Sequence, residues 1–109
     1  MSRVTDIILI TAIEDGAECE GEHPNADRLS AFIRENHYKV GVPLLQVQEI
    51  AGGNKYMQCS VFAGAINHLN ADAVVECFAN IDWEYPECAQ LLLKGEQENT
   101  FTSHTITED

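Results

Sequence analysis

The densest group of residues that could do chemistry is segment 14–22, which carries five carboxylates and neither lysine nor arginine. Hard divalent cations take several oxygen ligands, so such a run could form a cation site. The alternating pattern of a calcium loop is absent, however, and Cys19 with His23 supplies too few ligands for structural zinc. We therefore predict no metal site and no cofactor, but an exposed loop that can bind a basic surface. Its carboxylates are Glu14, Asp15, Glu18, Glu20 and Glu22.

A second candidate binding segment, residues 82–85, sets two large aromatic side chains among carboxylates. Tryptophan and tyrosine are favoured anchors in protein interfaces, and the neighbouring carboxylates would steer a basic partner toward them. Trp83 can instead fold back to close the core at the end of a helix, and the two roles are compatible. The predicted partner-binding residues of this segment are Asp82, Trp83, Glu84 and Tyr85.

No catalytic motif is recognisable in the chain. The four histidines are dispersed, and none stands beside a serine or cysteine in a nucleophile motif. A cysteine–histidine pair assembled in space, for example Cys59 with His68 or His104, is the remaining enzymatic alternative. The junction 64–68 could bind a small molecule at free backbone N–H groups, or its small residues could simply permit close packing. We predict a protein that is not an enzyme.

Charge is the strongest compositional signal, since eighteen acidic and six basic residues give a formal net charge of −12. Such a chain repels a phosphate backbone, so direct nucleic-acid binding is not expected. An acidic surface can instead imitate nucleic acid or dock on the basic face of another protein, and charge accelerates the encounter. The competing explanation is that the acidity only maintains solubility.

Hydropathy and cysteine usage give an expected compartment. The apolar runs at 7–10 and 91–93 are far shorter than the roughly 20 residues of a membrane span, and the N-terminus lacks the features of a signal peptide. We expect a cytoplasmic protein with no membrane association. The four cysteines form no Cys-x-x-Cys pair, so reduced thiols are expected, three of them on buried elements. They are Cys19, Cys59, Cys77 and Cys88.

Hydrophobic periodicity, helix caps and turn residues predict seven elements in the order β-α-β-β-α-β-β within one domain, residues 1–109. Asn25 and Asn70 are predicted to cap the two helices, and the glycines of 51–55 to form a hairpin turn. The return strand is predicted to face the core with Met57, Cys59, Val61 and Ala63. The predicted ranges are strand 4–13, helix 25–36, strands 44–50 and 56–63, helix 70–82, and strands 88–94 and 100–106.

This order predicts an α+β fold of the ferredoxin-like type. Two helices would cover one face of an antiparallel β-α-β-β-α-β sheet, and an added C-terminal strand would form an edge. The fold supports many unrelated activities, so function must be argued from the site.

Two functions from different classes are compatible with these features. The first is a small acidic non-enzymatic binding protein, an immunity-type inhibitor or nucleic-acid mimic that acts on a basic protein partner. The alternative is a ferredoxin-like domain that binds a small-molecule ligand and forms a homodimer through its sheet edges. The threonine-rich C-terminal strand motivates this alternative, because an exposed edge can pair with another chain.

Overall fold

The first strand of the chain lies at the centre of the sheet, as predicted from its consecutive β-branched and apolar residues. A computed structural model describes residues 3–36, 41–47 and 52–106. The elements follow the predicted order, with a short 3₁₀ turn added before the fourth strand. They are β1 (Val4–Thr11), α1 (Pro24–Asn36), β2 (Leu45–Gln46), β3 (Ser60–Asn67), α2 (Ala71–Asn80), the 3₁₀ turn (Pro86–Cys88), β4 (Gln90–Gly95) and β5 (Thr102–Thr105).

The strand order of the sheet is β2-β3-β1-β4-β5, and every neighbouring pair is antiparallel. β3 lies between β1 and β2, while β1 lies between β3 and β4, which is the split β-α-β arrangement. β5 extends the sheet beyond β4 and forms one edge. The predicted α+β fold of ferredoxin-like type with an added C-terminal strand is confirmed.

The hydrophobic core lies between the two helices and one face of the sheet, which we call the inner face. Side chains alternate along a strand, so every second residue of β1, β3 and β4 points to this face. The buried helical residues recur at three- and four-residue spacing, as expected for amphipathic helices. The principal members of the core are Ile7, Leu9, Phe62, Ile66, Leu91 and Leu93 from the sheet, and Leu29, Ile33, Val74 and Phe78 from the helices.

The prediction for the inward face of the return strand is wrong. β3 begins at Ser60 rather than at residue 56, and its buried residues are Ser60, Phe62 and Ile66. Pairing with β1 sets Phe62 opposite the buried Leu9, and residues directly opposite each other share a face. The residues predicted to face the core are therefore displaced from it: Met57 and Cys59 precede the strand, and Val61 and Ala63 point to the other face.

The β2–β3 hairpin is confirmed by the antiparallel pairing of Leu45 with Ala63. β2 itself is shorter than predicted, and the predicted strand residues 48–50 lie outside the described residues, as does residue 51 of the turn. The residues 64–67, predicted to be a junction, continue β3 instead. A side chain at Gly64 would overlap the carbonyl oxygen of Pro43, so glycine allows this close packing.

Of the two predicted helix caps, one is confirmed and the other is wrong. Asn70 caps α2, since its side-chain oxygen accepts a hydrogen bond from the Ala73 N–H at 3.2 Å. Asn25 is not a cap, because α1 begins one residue earlier and the carbonyl of His23 accepts the Asp27 N–H. Asn25 is instead buried within the first turn, where its amide serves a different purpose.

The cysteines are free but less buried than predicted. Cys19 and Cys88 are exposed, while Cys59 and Cys77 are half-buried. Cys88 belongs to the 3₁₀ turn rather than to β4, and Cys59 precedes β3, so neither is held within the sheet. Among the described residues, no helix is long and apolar enough to cross a membrane.

Candidate protein-binding surface

Asp15 is the centre of a buried polar network that joins the two predicted binding segments. Asp15 is only 3 % exposed. Oδ1 accepts hydrogen bonds from the Asn25 side-chain amide at 2.6 Å and the Glu84 backbone N–H at 3.0 Å, and Oδ2 accepts the Tyr85 N–H at 2.9 Å. A buried carboxylate is tolerated when donors surround it, and here two come from the distant segment. Asp15 therefore holds the 82–85 loop against the 14–22 loop.

Glu84 completes the connection from the opposite direction. Its Oε1 accepts the Gly16 backbone N–H at 3.1 Å, across 68 positions of sequence. Asn25 adds a further link, since its amide also donates to the Asp82 carbonyl at 3.2 Å. The two loops are thus held by side chains from both of them and from the first turn of α1.

The backbone of the 14–22 loop turns tightly to bring Asp15 inward. Glu14 has a positive φ of 52° and Gly16 one of 77°. At Gly16 a side chain would lie 2.6 Å from the Asn25 amide nitrogen, so the position requires glycine for space as well as for conformation. Glu14 also stabilises the loop, because its Oε1 accepts the Gly21 N–H at 3.1 Å. The loop is therefore a tight turn held by specific hydrogen bonds.

Trp83 anchors the second loop to the core. It is 6 % exposed, and its indole N–H donates to the Phe78 carbonyl at 2.9 Å. The rings of Phe78 and Trp83 lie 5.5 Å apart at a tilt of 55°. Trp83 therefore closes the core at the C-terminal end of α2, as the alternative to the anchoring role anticipated, and it does not offer its ring to a partner.

The predicted partner-binding residues divide into a buried pair and an exposed set. Asp15 and Trp83 are buried and position the two loops, while Tyr85 is 46 % exposed. Neither segment 4–22 nor segment 69–93 contains a lysine, arginine or histidine, so no base interrupts either stretch. We call the partly or fully exposed residues of the two loops the acidic surface: Glu14, Glu18, Glu20, Glu22, Asp82, Glu84 and Tyr85.

An open groove between α1 and α2 adjoins the acidic surface at Asp82. It has a volume of about 540 Å³. Phe32, Cys77 and Ile81 give it an apolar lining, and Arg28, Glu76 and Asn80 contribute polar groups. Burial raises the pKa of the Cys77 thiol. Sequence reasoning missed this groove, because the helical stripes place its residues at the margin of the core but do not reveal how far apart the helices lie.

The remaining candidate features are separate from the acidic surface. His68, the last residue of the predicted small-molecule junction, lines a second cavity of about 520 Å³ together with Leu69, Arg3 and Glu98. The His23 ring packs edge-on against Phe62 with centroids 5.3 Å apart, and its buried Nδ1 has no hydrogen-bond partner among the described residues. In the part of the chain that the structure describes, no group of three histidine, cysteine or acidic side chains is arranged to hold a metal ion.

Comparison with protein-family models, curated proteins and solved structures found no match for this chain. What the surface can do therefore follows from its own geometry. It presents carboxylates and one tyrosine on loops fixed by a buried network, next to an apolar groove. The arrangement is a negatively charged surface of fixed shape that borders an apolar groove.

Proposed function

We propose that this protein is a non-enzymatic binding protein that docks a basic partner protein on its acidic surface. The observation that carries the proposal is the Asp15 network, which joins two acidic loops from distant parts of the sequence into one surface. Loops that are already ordered lose less conformational entropy on binding, so more of the interaction energy contributes to affinity. An acidic loop that served only solubility would not need a buried carboxylate to fix its shape.

Charge defines the class of partner. With a formal net charge of −12, the protein attracts cationic surfaces over several ångströms of solvent and accelerates their encounter. A protein that normally holds nucleic acid has a ready-made cleft of lysine and arginine side chains. A nuclease or DNA-binding protein is therefore the natural partner, and occupying its cleft would inhibit it, as an immunity-type inhibitor or nucleic-acid mimic does.

Affinity requires more than charge, since exposed ion pairs contribute little individually. Interfaces derive most of their binding energy from a few well-packed aromatic and apolar contacts surrounded by polar ones. Tyr85 and the groove lined by Phe32 and Ile81 supply such contacts at the border of the acidic surface. We infer that the partner places basic side chains on the carboxylates and an apolar side chain in the groove.

The test begins by capturing the partner from a lysate of the native host at low salt and identifying the bound proteins by mass spectrometry. The purified partner is then titrated with the wild type and with the triple variant Glu18→Gln/Glu20→Gln/Glu22→Gln. All three carboxylates are exposed, and no side-chain hydrogen bond of the described residues uses them. We expect the dissociation constant to rise by about tenfold or more.

A matched control removes the same charge from the other end of the molecule. The variant Glu35→Gln/Asp72→Asn/Glu96→Gln alters exposed residues at the end of α1, the start of α2 and the turn after β4. It should change the dissociation constant by less than about threefold. Equal weakening by the two triple variants would mean that only net charge matters, and would overturn the acidic surface as the binding site.

A further inference from the structure

The side of the sheet opposite the helices, which we call the outer face, carries a continuous apolar patch. The outward residues of β1 and β4 are half-buried, those of β3 are half-buried or exposed, and none of them belongs to the core cluster. Both helices contribute their buried residues to the inner face, and no described helix covers the outer one. The half-buried apolar residues of this face are Val4, Ile8, Ile10, Val61, Ala63 and Leu92.

Strand register aligns these side chains in rows. The central row crosses the whole sheet, because Ala63 and Leu92 both lie opposite Ile8, Leu45 lies opposite Ala63, and Ser103 lies opposite Leu92. Leu45, at the β2 end of the row, is 64 % exposed. A row of aliphatic side chains across four adjacent strands, half-buried in the middle and exposed at Leu45, is the kind of patch that marks an interaction site.

The outer face is almost uncharged, in contrast to the rest of the molecule. Its only charged residues within the paired strands are Asp6 and Lys94, which lie opposite each other and compensate. A basic partner therefore gains nothing electrostatic here, and the −12 charge of the chain lies elsewhere. A second copy can approach through this face, because the single carboxylate there, Asp6, lies opposite Lys94 and leaves the face without net charge.

The size of the face meets the requirement of a small dimer. Five strands about 4.8 Å apart, with three rows of outward residues about 6.7 Å apart, give a footprint of about 500 Å² per copy. Two such faces bury about 1,000 Å² in total, which lies in the range of weak interfaces, just below that of stable ones. An interface of this size predicts a dimer that dissociates in the micromolar range rather than an obligate one.

We propose that a second copy of this chain packs its outer face against the outer face of the first, forming a two-fold symmetric dimer. The contact is self-complementary, as a two-fold interface must be, and the two sheets pack face to face about 10 Å apart. The acidic surfaces stay free, since they lie at the end of the sheet where β1 stops and β4 starts. The proposal is independent of the function proposed above.

The test is sedimentation equilibrium of the full chain between about 5 and 500 µM in 0.3 M NaCl, which screens the repulsion between acidic copies. We expect a reversible monomer–dimer equilibrium. The variant Ile8→Glu places a charge at the centre of the interface and should raise the dimer dissociation constant by about a hundredfold. Because β1 is central, Leu45→Glu is the companion variant: this exposed edge residue can change without disturbing the core, and should raise the constant by about tenfold.

Ala79→Glu is the control, since it adds the same charge to an exposed position of α2. It should leave the dissociation constant within about twofold of the wild type. A chain that stays monomeric up to 500 µM would overturn the proposal. A dimer that survives both Ile8→Glu and Leu45→Glu would also overturn it, because the contact would then lie elsewhere, for example at the β5 edge.

Discussion

The acidic surface and the outer face of the sheet are built in opposite ways. The acidic surface depends on one buried carboxylate and a few hydrogen bonds between loops, so removing a single residue can disorganise it. The outer face depends on strand alternation, so its rows persist whichever single side chain is changed. One surface carries charge and the other nearly none. The two proposals therefore assign unlike partners to separate sets of residues on one small sheet.

The largest expected effect is the loss of Asp15. Asp15→Ala leaves three donors without their shared acceptor in a buried site, and should lower the free energy of unfolding by about 3–5 kcal/mol. Urea unfolding followed by circular dichroism measures the change. Glu18→Ala, an exposed residue of the same loop, is the control and should stay within about 0.5 kcal/mol of the wild type. If the two variants are equally stable, the network does not organise the loops.

Two adjacent residues of β3 lie on opposite faces of the sheet, so substituting each of them compares the inner with the outer face. Gly64→Ala adds one carbon atom where the Pro43 carbonyl already lies, and should destabilise the protein by about 2–3 kcal/mol. Ala65→Ser also adds one heavy atom, but at an exposed outward position, and should cost less than about 0.5 kcal/mol. Thermal unfolding of both variants at low protein concentration checks the contrast. Equal losses would contradict the assigned register.

Salt should act on the two surfaces with opposite signs. Raising NaCl from about 50 to 500 mM screens the attraction between the acidic surface and a basic partner, so that complex should weaken by about tenfold or more. The same change screens the repulsion between two acidic chains, so the homodimer should tighten by about threefold. Titration calorimetry and sedimentation measure the two equilibria. A homodimer weakened by salt would show that charge, and not the apolar rows, holds it together.

The smallest expected effect concerns the groove beside the acidic surface. Burial raises the pKa of Cys77, so at a given pH this thiol contains less of the reactive thiolate than its ordinary value implies. Iodoacetamide should alkylate Cys77 several-fold more slowly than the exposed Cys19 and Cys88, with the difference narrowing as pH rises. Peptide mass spectrometry after timed labelling resolves each site. Equal rates at pH 7.5 would mean that the groove leaves Cys77 fully open to solvent.

The same pKa direction has a consequence for stability. The folded state holds the Cys77 proton more tightly than the unfolded state does, so the free energy of unfolding decreases as pH rises past the unfolded thiol pKa. Below that pH both states keep the proton, and ionisation of this thiol does not change the free energy of unfolding. Urea unfolding measured above and below that pH should show this decrease in the free energy of unfolding for the wild type, and Cys77→Ser, which lacks the thiol, should not show it.

The order of elements could be predicted from the sequence because each depends on local signals. The Asn70 cap, the apolar stripe of α2 and the β-branched run of β1 act through neighbours within a few residues. The inward face of β3 could not be predicted in this way, since alternation alone permits either face. Which one is buried depends on pairing with β1, where Leu9 fixes the position of Phe62.

The residues of the candidate surface could be predicted from the sequence, but the hydrogen bonds that hold its two loops together could not. The clustering of carboxylates and aromatics identified both loops, and the structure brings them together. Nothing local distinguishes Asp15 from the other acids of its loop, because its donors Glu84 and Tyr85 lie about seventy positions away. Asn25 was similarly misassigned as a cap, since a residue before a helix and one in its first turn have the same local sequence.

The position of Trp83 allows changes at the acidic surface to be followed by intrinsic fluorescence. It is the only tryptophan of the chain, and it is buried beneath the acidic surface with its indole N–H bound to the Phe78 carbonyl. An indole shielded from water fluoresces at shorter wavelength than one in water. The tryptophan emission of the native chain therefore originates from a single indole at the base of the second loop, and any event that exposes this indole to water shifts that emission to longer wavelength without an added label.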